Sequence, residues 1–169
     1  EFCPKALEIS SDGSRVQGST QDATHASIPV SSCGVEITNP GLWYSVKGNG
    51  QPLQITACSD DDDEGGFDVS VSVFEGGAGG CDSLTCVSGT TFVEKCATGQ
   101  GRRSLQYSLT SSALRFMSKP KTDYFIFVHG TDVGDFDMFV RDENIEGFGT
   151  EAPTATPIRH GKDLFRWIP

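Results

Sequence analysis

Apolar and polar residues alternate in short runs along most of the first 140 positions, and no sustained apolar pattern at helical spacing interrupts them. Seven runs with β-branched and aromatic residues predict strands: Leu42 to Val46, Leu53 to Cys58, Val69 to Phe74, Ser104 to Thr110, Leu114 to Met117, Tyr124 to His129 and Phe136 to Val140. Turn-forming sequences separate them at Gly48-Asn49-Gly50, Gly76 to Gly80, Ser118-Lys119-Pro120 and Gly130-Thr131-Asp132. In Asp68-Val69-Ser70-Val71-Ser72-Val73 the valines fall on one face and the serines on the other, which predicts a core side and a wet side. Tyr124-Phe125-Ile126-Phe127-Val128 is apolar on both faces, so this strand is expected at the centre of its sheet. Seven or more short strands need two layers, and the expected fold is an all-β, antiparallel, jelly-roll-like sandwich, with an open barrel as the alternative.

Cysteine usage adds covalent staples to that picture. The six cysteines, Cys3, Cys33, Cys58, Cys81, Cys86 and Cys96, lie in the first 96 of 169 residues. Their spacing lacks the near-adjacent ligand couples of zinc sites. They read as a disulfide framework, which places the protein outside reducing compartments, secreted or at a cell surface. Six cysteines allow ~15 connectivities, and spacing alone does not choose among them.

The formal charge of −10 argues against a phosphate-backbone partner, because nucleic-acid readers need a basic footprint. No run approaches the ~20 apolar residues that span a bilayer. The three asparagines precede Pro40, Gly50-Gln51 and Ile145-Glu146, so no N-glycosylation sequon occurs. Residues 142–169 change character. A Pro/Thr-rich linker, Gly149 to Pro157, leads into a basic aromatic tail with Arg159, Lys162, Phe165, Arg166 and Trp167, which reads as an incidental tail, an added edge strand, the start of a next module or a docking peptide.

Six blocks are similar in order and spacing to the pre-peptidase C-terminal domain family. They are Gly41 to Gly50, Leu53 to Cys58, Phe67 to Gly76, Cys81 to Val87, Tyr124 to Gly130 and Gly134 to Val140, so that the resemblance covers about residues 3–141. It implies a jelly-roll-like sandwich that accompanies secreted proteases and other extracellular proteins without being a catalyst. It also implies the pairings Cys3 with Cys33, Cys58 with Cys96 and Cys81 with Cys86. After Val87 the family often continues with an Asn-Asp-Asp-like acidic turn, whereas here Ser88 to Cys96 follows, so no ligand role is carried over from that turn.

Asp60 to Asp68 carries six carboxylates in nine residues, with Gly65 and Gly66 among them. Oxygen ligands on a glycine-containing loop suit calcium, and Asp60, Asp62 and Asp68 are the candidate ligands, although EF-hand spacing is absent and a solvated loop explains the same run. Asp132, Asp135 and Asp137 form a second acidic group, read as a strand edge whose Asp135 and Asp137 share the solvent face. Trp43 is a candidate for stacking on a ligand, against a core role, and Arg102 and Arg103 are candidates for an anionic polymer. There is neither a His-Glu-x-x-His helix nor a Gly-x-Ser-x-Gly elbow. The expected function is a non-catalytic extracellular accessory module for a polysaccharide or matrix surface, with calcium on its acidic loop. The alternatives are a structural or adhesion module of a cell wall or matrix assembly and a hydrolase with a carboxylate site.

Overall fold

The computed structural model describes residues 3–24, 33–59, 68–92 and 113–143. The expected strand Ser104 to Thr110, the acidic run before Asp68, Arg102, Arg103, Cys96 and the tail lie outside them. A 3-10 turn, Cys3–Lys5, is followed by nine strands: β1 Leu7–Glu8, β2 Asp12–Ser19, β3 Leu42–Lys47, β4 Pro52–Ser59, β5 Val69–Gly77, β6 Gly80–Phe92, β7 Leu114–Met117, β8 Asp123–Gly130 and β9 Asp135–Asp142. They form a five-stranded sheet in the order β1-β3-β8-β5-β6 and a four-stranded sheet in the order β2-β9-β4-β7. Every pairing is antiparallel except the two-residue parallel bridge of β1 on β3. The fold is an all-β, disulfide-stapled sandwich. Among the described residues no helix is long and apolar enough to cross a membrane.

Between the sheets, alternate residues of each strand interdigitate. Tyr44, Val46, Val71, Val73, Ile126 and Val128 from the five-stranded sheet meet Leu53, Ile55, Phe136, Met138 and Val140 from the other. Tyr44 packs edge-on against Phe136, with centroids 6.3 Å apart. Gly18 on β2 makes room for that pair: a Cβ there would lie 2.4 Å from the Phe136 ring and 2.5 Å from the Tyr44 hydroxyl.

β8 is central, as its doubly apolar pattern predicts, and its second face meets a second core. Trp43, Phe74, Phe125 and Phe127 pack on the outer side of the five-stranded sheet with Cys3 and Cys33. Ala6 and Ile37 lie over them. The serine side of β5 is therefore not wet: Ser70 is 3% exposed and Ser72 0%. Period-two alternation correctly divides the faces, but it cannot register cover supplied by distant segments.

That cover is tied down covalently. Cys3 bonds Cys81 and Cys33 bonds Cys86, with Cα separations of 5.7 and 5.3 Å. The pairings implied by the family resemblance, Cys3 with Cys33 and Cys81 with Cys86, are thus replaced by an exchanged set. The reason is β6. Cys81 and Cys86 lie in one continuous strand, and five residues of strand span ~16 Å at ~3.3 Å each, far beyond the ~6 Å Cα spacing a disulfide tolerates. Each cysteine on β6 instead takes a partner from a segment crossing the outer face. Cys58 is also disulfide-bonded, and its expected partner, Cys96, lies outside the described residues. No described cysteine is free.

Candidate functional site

Trp43, the second residue of β3, points outward, where burial to 1% exposure puts its ring against Phe127 and Phe74, with centroids 4.8 and 5.7 Å apart. It is a core residue beside the disulfides and offers no surface ring to a ligand. Of the candidate calcium ligands, Asp60 and Asp62 lie outside the described residues. Asp68 is half-buried just before β5, and its backbone oxygen accepts from the Thr131 N–H at 3.4 Å. Among the described residues no group of three or more His, Cys, Asp or Glu side chains is arranged to hold a metal ion. Arg102 and Arg103 also lie outside the described residues.

The second acidic group divides. Asp132 and Asp135 are exposed, but Asp137 is 3% exposed, which corrects the expectation that Asp135 and Asp137 share a solvent face. A buried carboxylate needs a charge partner, and Arg15 of β2 provides it. Arg15 Nε donates to Asp137 Oδ1 at 2.6 Å and its Nη2 lies 2.5 Å from Oδ2, a two-point guanidinium–carboxylate pair.

Register extends this pair into a network on the outer face of the four-stranded sheet. Phe139 stands opposite Arg15 on β2 and Thr56 on β4. One step along β9, Arg141 stands opposite Gln54 and donates from Nε to its Oε1 at 2.5 Å. Arg115 on β7, the other neighbour of Gln54, lies 3.3 Å from Glu143. The strands thus place Arg15 across from half-buried Phe139 and Arg141 two residues further along β9, the first guanidinium held by a two-point contact to Asp137 and the second by one hydrogen bond to Gln54. Such a face can present hydrogen-bonding edges in pairs around an apolar patch. Nothing in the local sequence announces it, because Arg15 and Asp137 are 122 positions apart.

The outer face of the five-stranded sheet carries a different polar set. His129 is 0% exposed, stacks on Phe127 with centroids 5.1 Å apart, and neither ring nitrogen has a hydrogen-bond partner among the described residues. The Trp43 indole N–H and Ser72 hydroxyl, on the same face, are equally unpartnered there. Burial pushes the His129 pKa down from 6.5 to about 4, leaving a neutral imidazole at physiological pH. The sequence marks His129 only as a histidine at a strand end.

No family model matches the chain, and no curated protein does. Several solved structures are similar in shape. The Yersinia pseudotuberculosis-derived mitogen superposes with a TM-score of 0.47 at 6% identity, covering 82% of this chain and 92% of its own. CorA, a surface-associated copper-binding protein important in copper acquisition in Methylomicrobium album BG8, superposes with a TM-score of 0.44 at 11% identity, covering 81% of this chain and 98% of its own. Likenesses at this level carry no statement about ligands. The resemblance to the pre-peptidase C-terminal domain family rests on its six sequence blocks alone.

Proposed function

We propose that this protein is a non-catalytic extracellular binding module that recognises a polysaccharide or matrix surface through the outer face of its four-stranded sheet. The observation that carries this reading is the network of Arg15 with Asp137 and Arg141 with Gln54 on the face that also carries Phe139. An aromatic ring packs against the C–H face of a sugar, while the guanidinium groups of Arg15 and Arg141, oriented by the buried Asp137 and Gln54, meet hydroxyls without first having to be ordered. The disulfides that lash two segments onto β6 accord with an oxidising compartment. The family resemblance, which implies an accessory role beside secreted enzymes, points the same way. Weak contacts of this kind gain strength when the module is tethered to neighbours.

A glycan and matrix-protein array probed with the intact protein tests the reading, in calcium and in EDTA, beside Phe139→Ala and Arg141→Ala. Binding to one polymer class that both substitutions weaken is the expected result. Loss in EDTA alone would show that binding needs a divalent cation, for which Asp60, Asp62 and Asp68 are the candidate ligands. Binding indifferent to both substitutions would remove this face from the mechanism, and silence throughout would favour a structural module of a wall or matrix assembly.

A further inference from the structure

The turn between β3 and β4 assembles the parts of an acyl-transfer reaction around one asparagine. The chain has three asparagines, followed by Pro40, Gly50 and Ile145. A backbone nitrogen attacks the carboxamide of the preceding asparagine only if it bears a hydrogen and is not shielded. Proline has no N–H, isoleucine is branched beside its backbone, and Gly50 has neither impediment. Gly50 also takes a φ of +88°, which glycine adopts without strain.

The surroundings of Asn49 are built from three strand ends. Its exposed side chain accepts the Gln51 N–H on Oδ1 at 2.9 Å, and the Ser118 hydroxyl lies 3.3 Å from the same oxygen. The Asn49 Nδ2 donates to the Asp142 carboxylate at the end of β9. The Gly50 N–H donates to Ser118 Oγ at 3.2 Å, and Ser118 is 3% exposed. The Ser118 hydroxyl donates its single proton to the Gln51 carbonyl at 2.7 Å, while its oxygen stands within reach of both the attacking nitrogen and the oxygen that gains charge.

We propose that Asn49 is a self-deamidation site whose reaction is assisted by the fold. The Gly50 nitrogen forms a bond to Asn49 Cγ, its proton passes to Ser118 Oγ, and the Ser118 proton turns away from the Gln51 carbonyl and passes to Oδ1. The result is a neutral tetrahedral carbon bearing hydroxyl and amine. The Gln51 N–H stabilises the oxygen as charge develops on it. The C–Nδ2 bond then breaks, the hydroxyl proton leaves with the amine as ammonia beside Asp142, and a five-membered imide remains. One water opens the imide at either carbonyl, giving aspartate or isoaspartate at position 49. The product carries one more negative charge than the −10 chain, and its new carboxylate faces that of Asp142. A hydrogen bond becomes a like-charge contact, which loosens the turn from β9.

Peptide mapping by mass spectrometry of the intact protein held at neutral pH and 37 °C tests this, in parallel with urea-unfolded protein, Ser118→Ala and Ser118→Thr, each variant checked by circular dichroism. Expected is a gain of ~1 Da with isoaspartate in the Asn49 peptide, with Asn39 and Asn144 unchanged. Positioned proton transfer is worth ~10²–10⁴-fold in enzymes, so even partial assistance makes the folded chain react about ten-fold faster than the unfolded one. Ser118→Ala falls to the unfolded rate, and Ser118→Thr, which keeps the hydroxyl, retains the excess. A folded chain that reacts no faster than the unfolded one would overturn the proposal, as would a Ser118→Ala protein that keeps the wild-type rate.

Discussion

Acidification should weaken this fold through His129, and the size of the effect follows from where the ring sits. The imidazole is fully buried and stacked on Phe127, has no hydrogen-bond partner among the described residues, and is held by burial at a pKa of about 4 against 6.5. The folded state therefore binds the proton more weakly than the unfolded chain. The stability this group leaves intact is complete above pH 6.5 and is lost as pH falls from about 6.5 to about 4, with no further loss below. At ~1.4 kcal/mol per pH unit the full loss is about 3 kcal/mol, a substantial part of a domain stability of ~5–15 kcal/mol. Urea unfolding at pH 7.5, 6.5, 5.5 and 4.5, for the wild type and His129→Phe, isolates the contribution from the carboxylates that titrate in the same range. Phenylalanine keeps the stack and removes the proton site. The variant should match or exceed the wild type at pH 7.5, and the gap should widen by about 2–3 kcal/mol at pH 4.5. Parallel stability curves for the two proteins would refute the reasoning, because they would mean that the imidazole is solvated or partnered when charged.

Two other perturbations test the covers and the network. Removing one staple with Cys33→Ser/Cys86→Ser frees a loop with a sequence separation of 53, worth about 4 kcal/mol by the chain-entropy relation. Guanidinium melts should show the loss, with a red shift in the fluorescence of Trp43 as the outer cover loosens. Asp137→Ala leaves Arg15 without its carboxylate, and because the Arg15 side chain is 46% exposed the cost should be about 1–2 kcal/mol, below the ~3–5 of a fully buried pair. Arg15→Met/Asp137→Leu should recover most of that loss in the same melts, and failure to do so would assign the cost to packing.

The strands that alternate β-branched or aromatic residues with turn sequences, β3, β4, β5, β7, β8 and β9, were legible because both the pattern and its punctuation are local. β2 and β6 were not. β2 has a single aliphatic residue, Val16, along Asp12–Ser19. β6, at thirteen residues, is a Ser/Thr/Gly-rich edge whose two cysteines suggest a closed loop more readily than a strand. The same strand explains why the observed pairing differs from the one the resemblance implies. Once β6 is continuous, a Cys81–Cys86 bond is geometrically barred and both thiols must recruit partners from elsewhere, on a face where Ser70 and Ser72, which local alternation assigns to water, are buried. Asp137 shows the same limit on the other sheet, since its burial depends on an arginine 122 residues away. Local pattern determines which residues share a face; which faces are covered depends on contacts of long sequence separation. In this protein those contacts decide whether Trp43 is a surface ring, whether Asp137 is a solvated carboxylate and whether His129 carries a charge. The three residues that most affect the reading of function are thus the ones whose environments a linear pattern cannot report.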